Sequence, residues 1–309
     1  MTFPVVLLGP QRTPTLDMVV QSMDLDGRFA TITAGWLERE PDDEELDDQL
    51  DGRGVNLSLY ARWLDVQERD PEFAAAERRL RAVLDEVQEL YLLRLDHGLA
   101  AVHDVRRGGE PGPLHAAAVT EAIDAVRALD EQHLARINDV HNEFYELWPP
   151  HERPVIAHHR AEVARLLEDA AALIVTGGHV GVLVNAMHLF NVSASLGTPV
   201  IAWSAGAMAL TDRIVLFHDR SVRGPSNPEV YGRGLSLLRD VVPLPHASAR
   251  LLLEDADRMS VFARRFVPAR CVLLEAGTRV DTGSGGSCPV GTRVLAEDGR
   301  VAVLEAASA

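Results

Sequence analysis

Ser204 stands where a serine could attack a carbonyl. The stretch Thr198-Pro-Val-Ile-Ala-Trp-Ser-Ala-Gly-Ala-Met208 is an apolar run that stops on this serine among small residues. Val200 and Ile201 predict a buried strand, and residues 205–210 predict the first turns of a helix, so Ser204 falls at a strand-to-helix turn. So sharp a reversal requires small residues two before and two after the serine; they are Ala202 and Gly206. The pattern fits a nucleophile elbow, and it also fits an ordinary βα turn with a serine near a helix start. Other segments must decide. His246 follows the apolar run Asp240-Val-Val-Pro-Leu244 and leaves the sheet near where a base is needed, although a histidine after a strand also serves structural roles. Glu275 closes Arg270-Cys-Val-Leu-Leu-Glu275, and a carboxylate ending a buried strand is costly unless paired, here with His246. Thr176-Gly-Gly-His-Val-Gly181 carries neither a lysine-bearing phosphate loop nor a full dinucleotide glycine pattern. Glycines at the carboxyl end of a parallel strand instead let backbone N–H groups point into a crevice, and here they offer an oxyanion hole on the edge from which Ser204 emerges.

Several elements must position these residues. Buried strands are expected at Val5–Leu8, Phe29–Thr33 and Ala171–Val175, with helices near Leu16–Met23, Arg160–Asp169, Leu183–Leu196 and Leu251–Ala263. Residues 292–304 read as a closing hairpin with a type I′-like turn at Asp298-Gly299. Strands alternating with helices predict an α/β sheet over residues 1–54 and 151–309. Residues 55–150 change to helical period, with one face at Leu80, Val83, Leu84, Val87, Leu90 and Tyr91, and another at Ala118, Ala122, Val126, Leu129, Leu134, Ile137, Val140 and Phe144. This helical insertion must bury its stripe against the main domain or against a second copy, so it either shapes the mouth of the site or forms a homodimer interface. His97, His103, His133 and His141 have no ligand spacing along a helix and read as surface residues; no metal and no cofactor are expected.

The 309 residues carry a formal charge of −16, which disfavours nucleic acid or an anionic membrane as partner. No apolar run approaches a membrane span and the N-terminus lacks the basic start of a signal peptide, so a cytoplasmic location is expected. Cys271 and Cys288 read as free thiols. Nine carboxylates crowd residues 38–51; they serve either as a solvated loop entering a helix or as a selector for a cationic substrate.

The segments Trp203-Ser-Ala-Gly-Ala207, Thr176-Gly-Gly178, Gly234-Leu-Ser-Leu-Leu238, His246-Ala-Ser-Ala-Arg250 and Val272-Leu-Leu-Glu-Ala-Gly-Thr278 together resemble the serine peptidase family of aspartyl dipeptidase (peptidase E) and cyanophycinase. The resemblance covers residues 155–305 and the first two strands, and leaves out the helical insertion. It implies a parallel-sheet α/β sandwich of the class I glutamine amidotransferase-like (flavodoxin-like) type, in which serine replaces cysteine at the elbow. It further implies Ser204 as nucleophile, His246 as general base and Glu275 as the acid that orients it, with the N–H groups of Gly178 and Ala205 as oxyanion donors. Two departures touch specificity: His179 stands where the family carries an Asn or Gln contact to substrate, and Ala247 replaces a common aromatic. Asp219 lies near an acidic family position and is a candidate substrate contact. The resulting expectation is a serine-type hydrolase of a small peptide or amide, with an acidic or isoaspartyl residue at the cleaved bond. Its specificity lies in loops 34–54, 179–182 and 217–233. The alternative is a non-catalytic binding or assembly protein that keeps the scaffold and recruits a partner through the insertion.

Overall fold

The computed structural model describes residues 3–12, 15–110, 112–220 and 226–306. Residues 221–225 of the 217–233 loop lie outside that set. Among the described residues the strands are β1 Val5–Leu8, β2 Arg28–Ile32, β3 Gly54–Asn56, β4 Ala170–Val175, β5 Val200–Trp203, β6 Ile214–Leu216, β7 Glu229–Gly232, β8 Val241–Pro245, β9 Arg270–Leu274, β10 Arg279–Thr282, β11 Arg293–Leu295 and β12 Val301–Val303. The helices are α1 Leu16–Ser22, α2 Glu44–Asp48, α3 Leu59–Arg69, α4 Pro71–Gly108, α5 Pro113–Leu147, α6 Pro154–Glu168, α7 Val180–Leu189, α8 Ala205–Ala209, α9 Ala247–Arg250 and α10 Ala256–Phe266. The chain is a mixed α/β protein with a largely parallel sheet and a long helical region.

The main sheet runs β10-β1-β5-β4-β2-β3, parallel except for β10 at one edge. Its central strands are apolar on both faces, as a sheet covered on both sides requires. Leu7, Ile32, Leu173, Val175 and Val200 face one layer, where α3, α6 and α7 pack. Leu8, Phe29, Ile174, Ile201 and Trp203 face the other, where α1 and α2 contribute Leu16, Val19 and Leu46. A second sheet, β12-β11-β9-β8, joins a parallel pair (β8, β9) to two antiparallel strands. One of its faces gives Val272 and Leu274 to the main core. Its other face gives Val242, Leu244 and Leu273 to a separate core built with α10 and the α4–α5 hairpin.

The period change after residue 55 marks more than one kind of structure. Residues 54–56 are the edge strand β3, paired with β2, and α3 shares the core with α7. The antiparallel hairpin proper is α4–α5. On α4 the buried stripe departs from the expected one, with Val83 and Leu90 exposed and Leu95, Leu99 and Val102 buried beside Tyr91, whereas on α5 Val126, Leu129, Leu134, Ile137 and Phe144 are buried as expected. On α5 the buried stripe includes Asp130 and His133, so the surface assignment of His133 is corrected. Its ring stacks on Tyr91 with centroids 3.9 Å apart, and Nε2 lies 2.9 Å from Gln88 Oε1.

Asp130 is the reason the stripe tolerates polar groups. Its carboxylate takes a bidentate pair from Arg265 of α10 (2.6 and 2.7 Å) and the Tyr91 hydroxyl (2.8 Å), and that hydroxyl in turn accepts the Val230 N–H of β7 at 3.0 Å. With both charges buried, this network fixes the hairpin to the α/β body.

The closing hairpin forms, but only Gly299 at its turn has positive φ, so the type I′ expectation for Asp298-Gly299 is corrected. Gly299 N–H donates to Ala296 O and Ala296 N–H to Arg300 O, which is a type I turn followed by a glycine bulge. No helix among the described residues is long and apolar enough to cross a membrane.

Candidate active site

Ser204 sits between β5 and α8 with φ 51° and ψ −123°, a conformation that costs an L-residue roughly 1–3 kcal/mol and persists only where packing imposes it. The packing is visible at Gly206. A Cβ there would lie 2.3 Å from the Val175 carbonyl oxygen and 2.6 Å from that of Thr176, so α8 crosses the end of β4 in direct backbone contact. The same closeness holds on the other side of the serine: a Cβ on Gly177 would stand 2.9 Å from Ser204 Cβ. Parallel pairing of β4 with β5 is what brings the Gly177-Gly178 turn against the elbow.

The glycine turn is held in place by its neighbour. His179 N–H donates to Gly35 O at 2.7 Å, and Gly178 takes φ +114°. Neither the Gly178 N–H nor the Ala205 N–H is used in a backbone hydrogen bond among the described residues. The first follows a strand, the second opens a helix, and both border the cavity into which Ser204 faces.

His246 reaches that cavity from the second sheet. Parallel register pairs Pro245 with Leu274, so His246 and Glu275 leave adjacent strand ends side by side, and His246 N–H donates to Leu274 O at 3.1 Å. Burial, then the guanidinium groups of Arg250 and Arg12, hold the imidazole below its ordinary pKa, against the opposite pull of Glu275. The ring is therefore neutral at pH 7, the state a general base needs. The Glu275 carboxylate makes different bonds from those expected. It accepts the Ser248 N–H at 2.6 Å and the Ser248 hydroxyl at 3.0 Å, and His246 is not among its partners. A carboxylate beside the first turn of α9 finds an unsatisfied N–H and a favourable dipole there, and these compete with the imidazole for it.

Two other residues do not line the cavity, although their chain neighbours Gly178, Val180 and His218 do. Asp219 is buried, bound to Arg258 Nη2 at 2.7 Å and to the Leu252 N–H at 3.2 Å, and the structure does not bring it to the cavity lining. His179 is the N-cap of α7, its Nδ1 accepting the Val182 N–H at 3.2 Å with the ring exposed. The cap occupies one ring nitrogen, and the side chain does not line the cavity.

The cavity measures about 1150 Å³ and carries groups that sequence reasoning missed: Arg12, Arg39 and Arg250, opposed by Glu45 and Glu229. Nothing local in the sequence marks three arginines from separate segments as lining one cavity. Three of the nine carboxylates of the acidic run are tied into the scaffold, and the other six are exposed, as a solvated loop entering a helix has them. Glu40 accepts the N–H groups of Tyr60 and Ala61 at the start of α3, Asp43 holds the Asn56 amide, and Asp47 accepts the Gly54 N–H. Glu45 alone of the run borders the cavity, where with Glu229 it faces three arginines.

No protein-family model matches the chain, and no curated protein matches it. Among solved structures, a peptidase from an acI-B1 Actinobacterium shares 13% sequence identity over 99% of this chain and 95% of that one, at a TM-score of 0.48.

Proposed function

We propose that the chain is a serine hydrolase that cleaves a small peptide or amide, on a fold of the class I glutamine amidotransferase-like type related to peptidase E and cyanophycinase. The observation that carries this reading is the convergence on one cavity of a strained serine, a neutral histidine and two unused backbone N–H groups. In this mechanism Ser204 Oγ attacks the carbonyl carbon while His246 takes its proton. The Gly178 and Ala205 N–H groups bind the oxyanion, and loss of one such donor costs on the order of 10² to 10³ in rate. The C–N bond then breaks, the amine leaves with the proton from His246, and water hydrolyses the acyl-enzyme by the same route in reverse. Glu275 acts as the orienting acid once it exchanges Ser248 for the imidazole.

The three arginines support an acidic or isoaspartyl residue at the cleaved bond, because a guanidinium recognises a carboxylate with two parallel hydrogen bonds. Turnover of β-aspartyl and α-aspartyl dipeptides, compared with their amide analogues, tests this. Preference for the aspartyl substrates is expected, and equal or better cleavage of the neutral analogues would remove the acidic specificity.

A non-catalytic reading draws on one observation, the Glu275 carboxylate held by Ser248. It predicts that no ester, amide or dipeptide is turned over and that Ser204 resists acylation.

A further inference from the structure

A second cavity, about 560 Å³, lies between the hairpin and the α/β body, walled by α4, α5, α6, α7 and residues 231–236. No residue lines both cavities, although α7 borders each: Val180 at its start faces the first, Asn185 and His188 face the second. The volume is in the range of small-molecule sites, which are usually few and largely pre-formed.

Its wall sets polar groups among apolar ones such as Leu84, Ile137 and Val184, where a packed interface would be apolar throughout. Five elements contribute Gln88, His141, Arg160, His188 and Tyr231, with asparagines from α5 and α7 beside them. Gln88 Nε2 and His141 Nδ1 are buried without a hydrogen-bond partner among the described residues. Buried polar atoms are rarely left so in a native interior, and two in one wall point to a partner the protein does not itself supply. Arg160 adds a charge with the same need. Its Nε donates to Leu189 O at 2.7 Å, burial lowers its pKa, and no carboxylate pairs with it among the described residues. His141 is pushed down to about 4 by burial, and His188, whose ring faces the cavity against the carbonyls of Arg233 and Gly234, is also lowered. Both are neutral at pH 7. The ionised groups of the lining are then Arg160 and Arg233 against Asp85.

We propose that this cavity is a ligand site for a small organic carboxylate that carries further hydrogen-bonding groups, of amino-acid to dipeptide size. Its carboxylate meets the Arg160 guanidinium, while amides and neutral imidazoles take its remaining polar atoms. Two guanidinium groups against one carboxylate leave the lining a single net positive charge, which suits a monoanion better than a phosphate. The inference stands apart from the hydrolase reading, since no residue of the first cavity takes part.

The test uses the full chain carrying Ser204→Ala, which removes turnover. Saturation-transfer NMR and calorimetry follow binding of L-aspartate, L-glutamine, L-arginine, glycyl-glycine and inorganic phosphate up to millimolar concentration. At least one of the carboxylates is expected to bind saturably. Asn185→Trp, on the cavity face of α7, fills the space and should lower that affinity by about tenfold or more, as should Arg160→Gln, which removes the charged partner. A cooperative thermal transition establishes that each variant is folded, and Asn185→Trp alone suffices should Arg160→Gln fail to fold. Absence of saturable binding by every carboxylate, binding unchanged in Asn185→Trp, or binding of phosphate alone would each overturn the proposal.

Discussion

The elbow edge and the helical hairpin are built on opposite principles. At the elbow, backbone approaches backbone so closely that side chains are excluded, and the price is a strained serine. At the hairpin, long helices are joined to the body through a buried carboxylate, a guanidinium and a phenol. The first arrangement leaves N–H groups free for a ligand; the second pairs the polar atoms of its anchor, Asp130, Arg265 and Tyr91, with one another. The difference teaches where chemistry and where rigidity are stored in this chain, and each half of it can be broken separately.

The largest expected effect is in the hairpin anchor. Asp130→Ala leaves Arg265 charged and unpaired in the interior, which typically costs 3–5 kcal/mol, about as much as many domains have to lose. Urea unfolding should show that loss, and a change under about 1 kcal/mol would show that the hairpin is held by its apolar stripe alone. At the elbow, Glu275→Ala should lower kcat on the order of 10² to 10⁴, the range seen when a triad histidine loses its orienting acid. Ser248→Ala should lower it by no more than a few-fold. The reverse ranking would make Glu275 a cap for α9 and nothing else.

Acidification sharpens the comparison further. Burial drops His133 to about 4, below its unfolded value near 6.5. Its contribution is therefore fully present above pH 6.5 and is lost as the pH falls toward 4, on the order of 2–3 kcal/mol. Denaturant midpoints across that window should fall, and His133→Gln should flatten the slope. The smallest effect concerns His246, also lowered. The acid limb of kcat/KM should lie below pH 6.5, and Arg250→Gln should move it upward by relieving the cationic neighbour; no movement would remove Arg250 from the electrostatics of the base.

The same contrast governs what could be read from the sequence. The strands came through because their β-branched runs are buried on both faces, and β1 falls at Val5–Leu8 as periodicity indicates. The strand-to-helix turn at Ser204 was legible because close approach demands a small residue at a fixed offset, here Gly206. The hairpin anchor was not. Asp130 and His133 interrupt an apolar stripe, and a polar residue there reads as surface until its distant partner, Arg265, is known. The positions of Asp219 and Glu40 were not legible for the related reason that a carboxylate carries no local sign of whether it faces solvent, substrate or a backbone N–H. The arginines of the cavity were invisible because residues 12, 39 and 250 meet only through the folded sheet. Ser248 lies two residues from His246, yet its capture of Glu275 follows from the αL turn at His246 and the short helix α9, neither of which has a sequence signature.

The central claim is that Ser204 is an activated nucleophile, and acylation tests it most directly. Wild-type chain and Ser204→Ala are treated in parallel with a fluorophosphonate, and intact mass is read with the modified peptide identified. The account predicts stoichiometric modification of the wild type at Ser204, none in Ser204→Ala, and slower modification when His246 is replaced by alanine. An unmodified wild type, or labelling that persists in Ser204→Ala, would contradict it.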